Sequence, residues 1–91
     1  MYRMWELLTP STIRLLLLLG SMEGYEGFRS LKSKLKWSQA KLLTALRNLE
    51  DLKLIEVETL KRVPPTNVYR LTDKGRRVYE LLKKLNELLE T

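Results

Sequence analysis

The chain has 91 residues, a length that suits a single domain with a modest core. Its hydrophobic share of 44% and charged share of 31% are typical of a soluble globular protein. The absence of cysteine and histidine excludes disulfides and thiolate or imidazole metal sites, and the net charge of +6 favours a polyanionic partner.

The first main helix is predicted to begin after Thr9, which can cap it, with Pro10 in the first helical position. It runs to about Gly20 and leaves residues 1–8 as an N-terminal extension. The leucine run at residues 15–19 is too short to span a membrane, which takes about 20 apolar residues, and its surroundings do not fit a signal peptide. We therefore expect a cytoplasmic protein with no membrane association.

Two further helices follow a glycine-containing loop. In FRSLKSKL, residues 28–35, the apolar residues recur at spacings of three and four, which predicts a short second helix. Ser38 is expected to cap a third helix over residues 38–52, with Trp37 and Leu42 forming a hydrophobic staple around the cap. The apolar positions of this third helix are expected to form its buried face, and they are Leu42, Leu46 and Leu49.

Beyond Lys53 the hydrophobic period changes from helical to two. Residues 54–60, LIEVETL, predict a strand that buries Ile55 and Val57. Two prolines break this strand before VYRL, residues 68–71, returns, so residues 54–71 predict a β-hairpin. Thr72 is expected to cap a last helix over residues 72–90, whose apolar positions repeat at spacings of three and four.

The positive charge is concentrated in one segment. Between Glu26 and Glu50 there is no acidic residue, and all other positions of the chain sum to zero charge. The basic residues of this segment are Arg29, Lys32, Lys34, Lys36, Lys41 and Arg47. Clustered cations of this kind indicate phosphate contact. No group of carboxylates, lysines or hydroxyls stands apart as catalytic, so we expect no enzyme activity, no metal and no cofactor.

Two segments, SQAKLLTALRNLEDLKLIEV and VYRLTDKGRRVYELL, resemble the recognition helix, first wing strand and Y-x-L-T-x-x-G return of MarR, PadR and ArsR-like prokaryotic transcription regulators. The resemblance covers roughly residues 9–90. Members commonly have glycine between the recognition helix and the wing, and Lys53 takes that place here. Either Lys53 accepts the strain of a positive φ, or the helix ends differently. The chain also lacks most of the extra helices that MarR-like proteins carry.

The resemblance implies a mainly α fold with a small β-hairpin (α+β), a winged helix-turn-helix domain over residues 1–91 in the order helix, helix, helix, hairpin, helix. The third helix would enter the major groove of double-stranded DNA. The residues expected to contact bases are Gln39, Lys41, Thr44, Arg47 and Asn48. Those expected to hold the DNA backbone are Arg29, Lys32, Lys34, Lys36, Ser38, Lys61 and Arg62. Leu43 either meets a thymine methyl or packs on the wing or a partner.

The last helix is longer than so small a domain can cover, and its far half stays rich in leucine. This predicts a homodimer. The expected interface residues are Trp5, Leu81, Leu82, Leu85, Leu88 and Leu89. The alternative is that residues 1–8 fold over the last helix within one chain. The sequence leaves open whether the protein binds a small-molecule effector. Two other functions stay open: a protein-interaction module in a larger assembly, and a non-specific DNA- or RNA-binding protein.

Overall fold

Helices make up most of the computed structural model, which describes residues 4–22 and 25–90, with side chains described for residues 6–22 and 27–90. The elements are α1 (Met4–Leu7), α2 (Pro10–Gly20), β1 (Tyr25–Glu26), α3 (Phe28–Leu35), α4 (Gln39–Asp51), β2 (Ile55–Leu60), β3 (Thr66–Leu71) and α5 (Asp73–Glu90). The mainly α winged-helix fold expected from the sequence is confirmed, and α1 and β1 are additions to it. No helix within the described ranges is both long and apolar enough to cross a bilayer.

The predicted helix starts are confirmed by their caps. The Thr9 hydroxyl accepts a hydrogen bond from the Thr12 backbone N–H, and Pro10 occupies the first turn of α2. In the same way, the Ser38 hydroxyl accepts from the backbone N–H of Lys41 at 3.2 Å at the start of α4. Each cap satisfies a donor that the first turn of a helix leaves unpaired.

One apolar core joins the helices to the base of the sheet. Helix α2 packs against α4 and α5, and buries Leu15, Leu16 and Leu19 there. The predicted inner face of α4 is confirmed, because Leu42, Leu46 and Leu49 are each at most 4% exposed. The other members of the core cluster are Leu31, Leu35, Trp37, Ala45, Leu54, Ile55 and Tyr69. Burial of the helix faces in this cluster, more than helix propensity, holds α4 in place.

The sheet is antiparallel with the strand order β1-β3-β2. The hairpin pairs β2 with β3 from Ile55 opposite Leu71 to Leu60 opposite Thr66. Ile55 is 4% exposed but Val57 is 37% exposed, so the expectation that both face the core is wrong for Val57. Strand β2 lies at the edge of the sheet and extends past the core, so Ile55 is its only buried residue.

The junction between α4, the hairpin and α5 explains the L-T-x-x-G motif. The Thr72 hydroxyl donates to the Lys53 carbonyl at 2.7 Å and accepts from the Gly75 N–H at 3.0 Å. The Thr72 backbone N–H donates to the Leu54 carbonyl at 2.9 Å. A Cβ at position 75 would overlap that same carbonyl oxygen, so α5 approaches strand β2 as closely as it does only because residue 75 is glycine. Lys53 has φ 60°, so it adopts a left-handed conformation, and of the two alternatives for the end of this helix the strained one is present.

Candidate nucleic-acid interface

Helix α4 presents one exposed polar face opposite its buried one. Gln39, Lys41, Thr44 and Arg47 are all exposed, and Ala40 lies between them. At 100° per residue, Ala40, Thr44 and Arg47 fall within about 60° of one another. The structure therefore places four of the five residues expected to contact bases on open surface.

Further cations lie on α3 and at the residue that follows it. Arg29, Lys34 and Lys36 are exposed, and Lys32 is half-buried. In the part of the chain that the structure describes, none of the basic residues between positions 27 and 49 pairs with a carboxylate. The ion pair of Arg70 with Glu58 lies outside this segment, on the hairpin. Because the charges are neither paired nor buried, their potential extends into the solvent beside α3 and α4.

Two contacts fix the start of α4. The ammonium group of Lys41 lies 4.8 Å from the centroid of the Trp37 ring, an arrangement that stabilises a cation over an aromatic face. Ser38, expected to contact the DNA backbone, uses its hydroxyl oxygen as the N-cap and keeps its O–H as a possible donor. Trp37 was expected only to pack, so its contact with Lys41 is a role that the sequence did not suggest.

Asn48, also expected to contact a base, makes a contact within the protein. It is half-buried, and its Nδ2 donates a hydrogen bond of 3.1 Å to the hydroxyl of Thr12 on α2. The amide therefore points along the side of α4 toward the neighbouring helix, because that helix offers a buried acceptor there. The structure thus gives Asn48 a contact between α4 and α2, and its base contact stays a prediction.

The hairpin borders the face on one side. Lys61 and Arg62 are exposed at its tip, where the Arg62 Nε donates to the Thr66 hydroxyl at 3.4 Å. Between α4 and the hairpin lies a groove of about 270 Å³. Leu43 is half-buried and lines this groove together with Val57, so of the two readings for Leu43 the structure favours packing toward the wing.

A cleft borders the same face on the other side. Thr9 and Ser11, at the start of α2, line it together with Ala40, Lys41 and Thr44 of α4. Its volume is about 410 Å³. Sequence reasoning did not connect Ser11 with the interface, since no periodicity or motif links positions so far apart in the chain.

Helix α5 carries an exposed apolar face. Leu81, Leu85, Leu88 and Leu89 are 67%, 50%, 71% and 74% exposed. Leu82 differs, because it is half-buried and packs against the core. The side chain of Trp5 lies outside the described residues. In the described part of the N-terminal segment, α1 contacts α4, and Leu8 borders an apolar groove of about 420 Å³ beside Val78 and Leu81. The exposure of the four leucines means that the described residues of this segment do not cover α5.

Comparison with known families decides the identity. A family model described as HxlR-like helix-turn-helix matches residues 11–91, nearly the whole chain. The chain belongs to the HxlR-like helix-turn-helix family. This HxlR-like protein therefore has a helix-turn-helix domain, as the motifs around Thr72 indicated, although HxlR was not among the families that the resemblance named.

Solved structures share the fold of this HxlR-like protein. A candidate MarR-family transcriptional regulator from Porphyromonas gingivalis W83 has a TM-score of 0.78 at 21% identity, covering 92% of this chain and 81% of that one. A transcriptional regulator homologue from Pyrococcus horikoshii OT3 has a TM-score of 0.77 at 18% identity, covering 99% and 96%. The reduced form of the regulator YodB from B. subtilis has a TM-score of 0.77 at 21% identity, covering 91% and 81%. Comparison with curated proteins gives no significant match.

Proposed function

We propose that this protein binds double-stranded DNA sequence-specifically as a homodimer and regulates transcription by occupying its site. The observation that carries the proposal is the exposed polar face of α4, together with the exposed cations on and just after α3, which have no carboxylate partner in the described residues. A helix about 10–12 Å across with its side chains fits a major groove about 12 Å wide. In this proposal α4 is the recognition helix.

The residues of this face have distinct proposed roles. Gln39 at the helix start can pair with adenine, and Arg47 can bind guanine or phosphate. Thr44 lies between them and can donate to or accept from a base edge. Lys41 is held close to the Trp37 ring, which limits how far its ammonium group moves. These side chains would carry the sequence information.

The remaining cations would supply affinity without sequence information. Arg29, Lys34 and Lys36 lie on or just after α3, the helix that crosses the DNA backbone in this geometry. Lys61 and Arg62 at the hairpin tip would reach the backbone or the adjacent minor groove. The proposal predicts a strong dependence of affinity on salt, because each neutralised phosphate releases counterions.

The homodimer is supported by the exposed leucines of α5. A contiguous apolar face on a helix of 18 residues is costly to leave in water. A two-fold axis through α5 would pair this face with its copy and set the two α4 helices about one DNA turn apart. A site with two inverted half-sites follows from that symmetry.

In vitro selection from a random pool of duplexes tests the proposal. We expect enrichment of an inverted repeat, and a log–log salt slope of about −4 to −5 for about five phosphates contacted. No enrichment with a steep salt slope would indicate a non-specific nucleic-acid-binding protein. No binding at any salt concentration would instead favour a protein-interaction module.

A further inference from the structure

We propose that Asn48 is a positioning residue, which sets the rotation of α4 through its hydrogen bond to the buried hydroxyl of Thr12, so that the specificity of DNA binding depends on a hydrogen bond within the protein. This inference rests on the proposed function of α4. It begins with Thr12, which is 0% exposed and is the only aliphatic hydroxyl, amide or charged side chain that the fold buries within residues 6–22 and 27–90.

The hydroxyl of Thr12 belongs to a short polar chain that joins two helices. The Asn48 Nδ2 donates to Thr12 Oγ1 at 3.1 Å, across 36 residues of sequence. Thr12 Oγ1 and Thr9 Oγ1 lie 2.9 Å apart and share a hydrogen bond in which either hydroxyl can donate. Thr9 is also fixed as the N-cap of α2, because its hydroxyl accepts from the Thr12 N–H at 3.2 Å. We call this chain of Thr9, Thr12 and Asn48 the interhelix link.

Apolar packing alone defines the rotation of α4 only loosely. The buried positions of α4 are Leu42, Ala45, Leu46 and Leu49, and contact between such side chains has no preferred direction. A hydrogen bond weakens steeply when its angle changes, so the interhelix link selects one rotation among those that the core accepts. A single buried polar contact has the same effect on register in coiled coils.

The link lies directly beside the face that would read DNA. Thr44 precedes Asn48 by one turn on the same side of α4, and Thr9 lines the cleft that Thr44 also borders. Rotating a helix by about 10° moves a side-chain tip by about 1 Å at the helix surface. Typical hydrogen bonds have donor–acceptor distances of roughly 2.7–3.2 Å. A shift of about 1 Å therefore takes a side-chain donor out of hydrogen-bonding range of a base edge. Loss of the link should therefore weaken binding to the specific site more than binding to bulk DNA.

The variants Thr12→Val and Asn48→Ala test this inference on the DNA site selected for the wild-type protein. Each is expected to lower the ratio of specific to bulk DNA affinity by about tenfold, a partial loss of the contacts that discriminate bases. Because Val and Thr have nearly the same shape, Thr12→Val removes the hydroxyl and little else. The double variant is expected to lose no more than either single variant, because both remove one contact. Thr12→Ser keeps the hydroxyl and should restore the wild-type ratio.

A loss of stability alone would not produce this pattern. Leu18→Ala removes half-buried apolar contact from α2 without touching the link, and it should lower the unfolding temperature while leaving the affinity ratio unchanged. An unchanged ratio of specific to bulk DNA affinity in Thr12→Val would overturn the inference. A changed base preference at a single position of the site, seen in Asn48→Ala alone, would also overturn it, because it would indicate a direct base contact by Asn48. A wild-type protein with no site preference would refute the proposed function and the positioning role together. The coupling of Thr12 and Asn48 in unfolding would still report whether the link exists.

Discussion

Replacing two leucines on the exposed face of α5 should separate the proposed homodimer into monomers. Leu85 and Leu89 are one turn apart and are 50% and 74% exposed. Full burial of a leucine side chain stabilises by about 1.5–3 kcal/mol, so covering the exposed parts of these two residues in both protomers contributes about 4–7 kcal/mol. Glutamate at both positions removes that contribution and adds a desolvation cost for buried charge. The dimer dissociation constant should rise at least about a thousandfold.

Sedimentation velocity measures this change directly. The wild-type protein should sediment at twice the chain mass of 10.8 kDa, and the Leu85→Glu/Leu89→Glu variant at the chain mass. Lys83→Glu is a matched control, because it changes the charge by the same two units on an exposed position on the far side of the helix. The reasoning fails if the double variant remains a dimer, if the control also dissociates, or if the wild-type protein is monomeric at micromolar concentration.

Three further outcomes follow from the fold. Gly75→Ala should lower the free energy of unfolding, measured by urea denaturation, by about 3 kcal/mol or more, because the added Cβ overlaps the Leu54 carbonyl. The control Arg77→Ala, at an exposed position of the same helix, should change it by less than about 0.5 kcal/mol. Lys53→Gly should raise the unfolding free energy by roughly 0.5–1 kcal/mol, because glycine adopts the positive φ without strain, although it also increases the entropy of the unfolded chain. A decrease would show that the Lys53 side chain stabilises the fold by more than the strain costs. Burial raises the pKa of Tyr69 above its ordinary value of 10.0, opposed by the Asn67 hydrogen bond and assisted by the Glu50 charge. The folded state therefore keeps the phenol proton to a higher pH than the unfolded state. The contribution of Tyr69 to the free energy of unfolding is intact below about pH 10 and is lost as the pH rises further. Tyr69→Phe should flatten that decline when unfolding is measured as a function of pH.

The elements that sequence could predict are those fixed by local chemistry. Thr9 and Ser38 act as caps whose hydrogen bonds lie within the first turn of their own helices, so the sequence predicted both helix starts. The leucines of α4 recur with a helical period, so the sequence also predicted the buried face of that helix. Sequence left two alternatives for Lys53, an accepted positive φ or a different helix end, and its φ of 60° is the first of these. The motif around Thr72 indicated the fold because its hydrogen bonds join three elements at one point.

The features that sequence missed depend on contacts between distant segments. Strand β1 exists only through its pairing with β3, where Tyr25 lies opposite Tyr69, and two residues have no detectable period. Val57 follows the alternation of a buried strand, yet the core ends before it. Asn48 has the helical position of a base-contacting residue, and only the proximity of Thr12 assigns it to the interhelix link. The roles of the other interface residues stay predictions.

Comparison of Arg47→Ala with Lys34→Ala tests the central claim most directly, that the exposed face of α4 reads base sequence. Affinities of both variants for the selected site and for bulk duplex DNA are measured at one salt concentration. We predict that Arg47→Ala costs about 1–3 kcal/mol at the selected site and little on bulk DNA, whereas Lys34→Ala weakens both alike. Equal losses on both DNAs for Arg47→Ala, or no loss at all, would contradict the account.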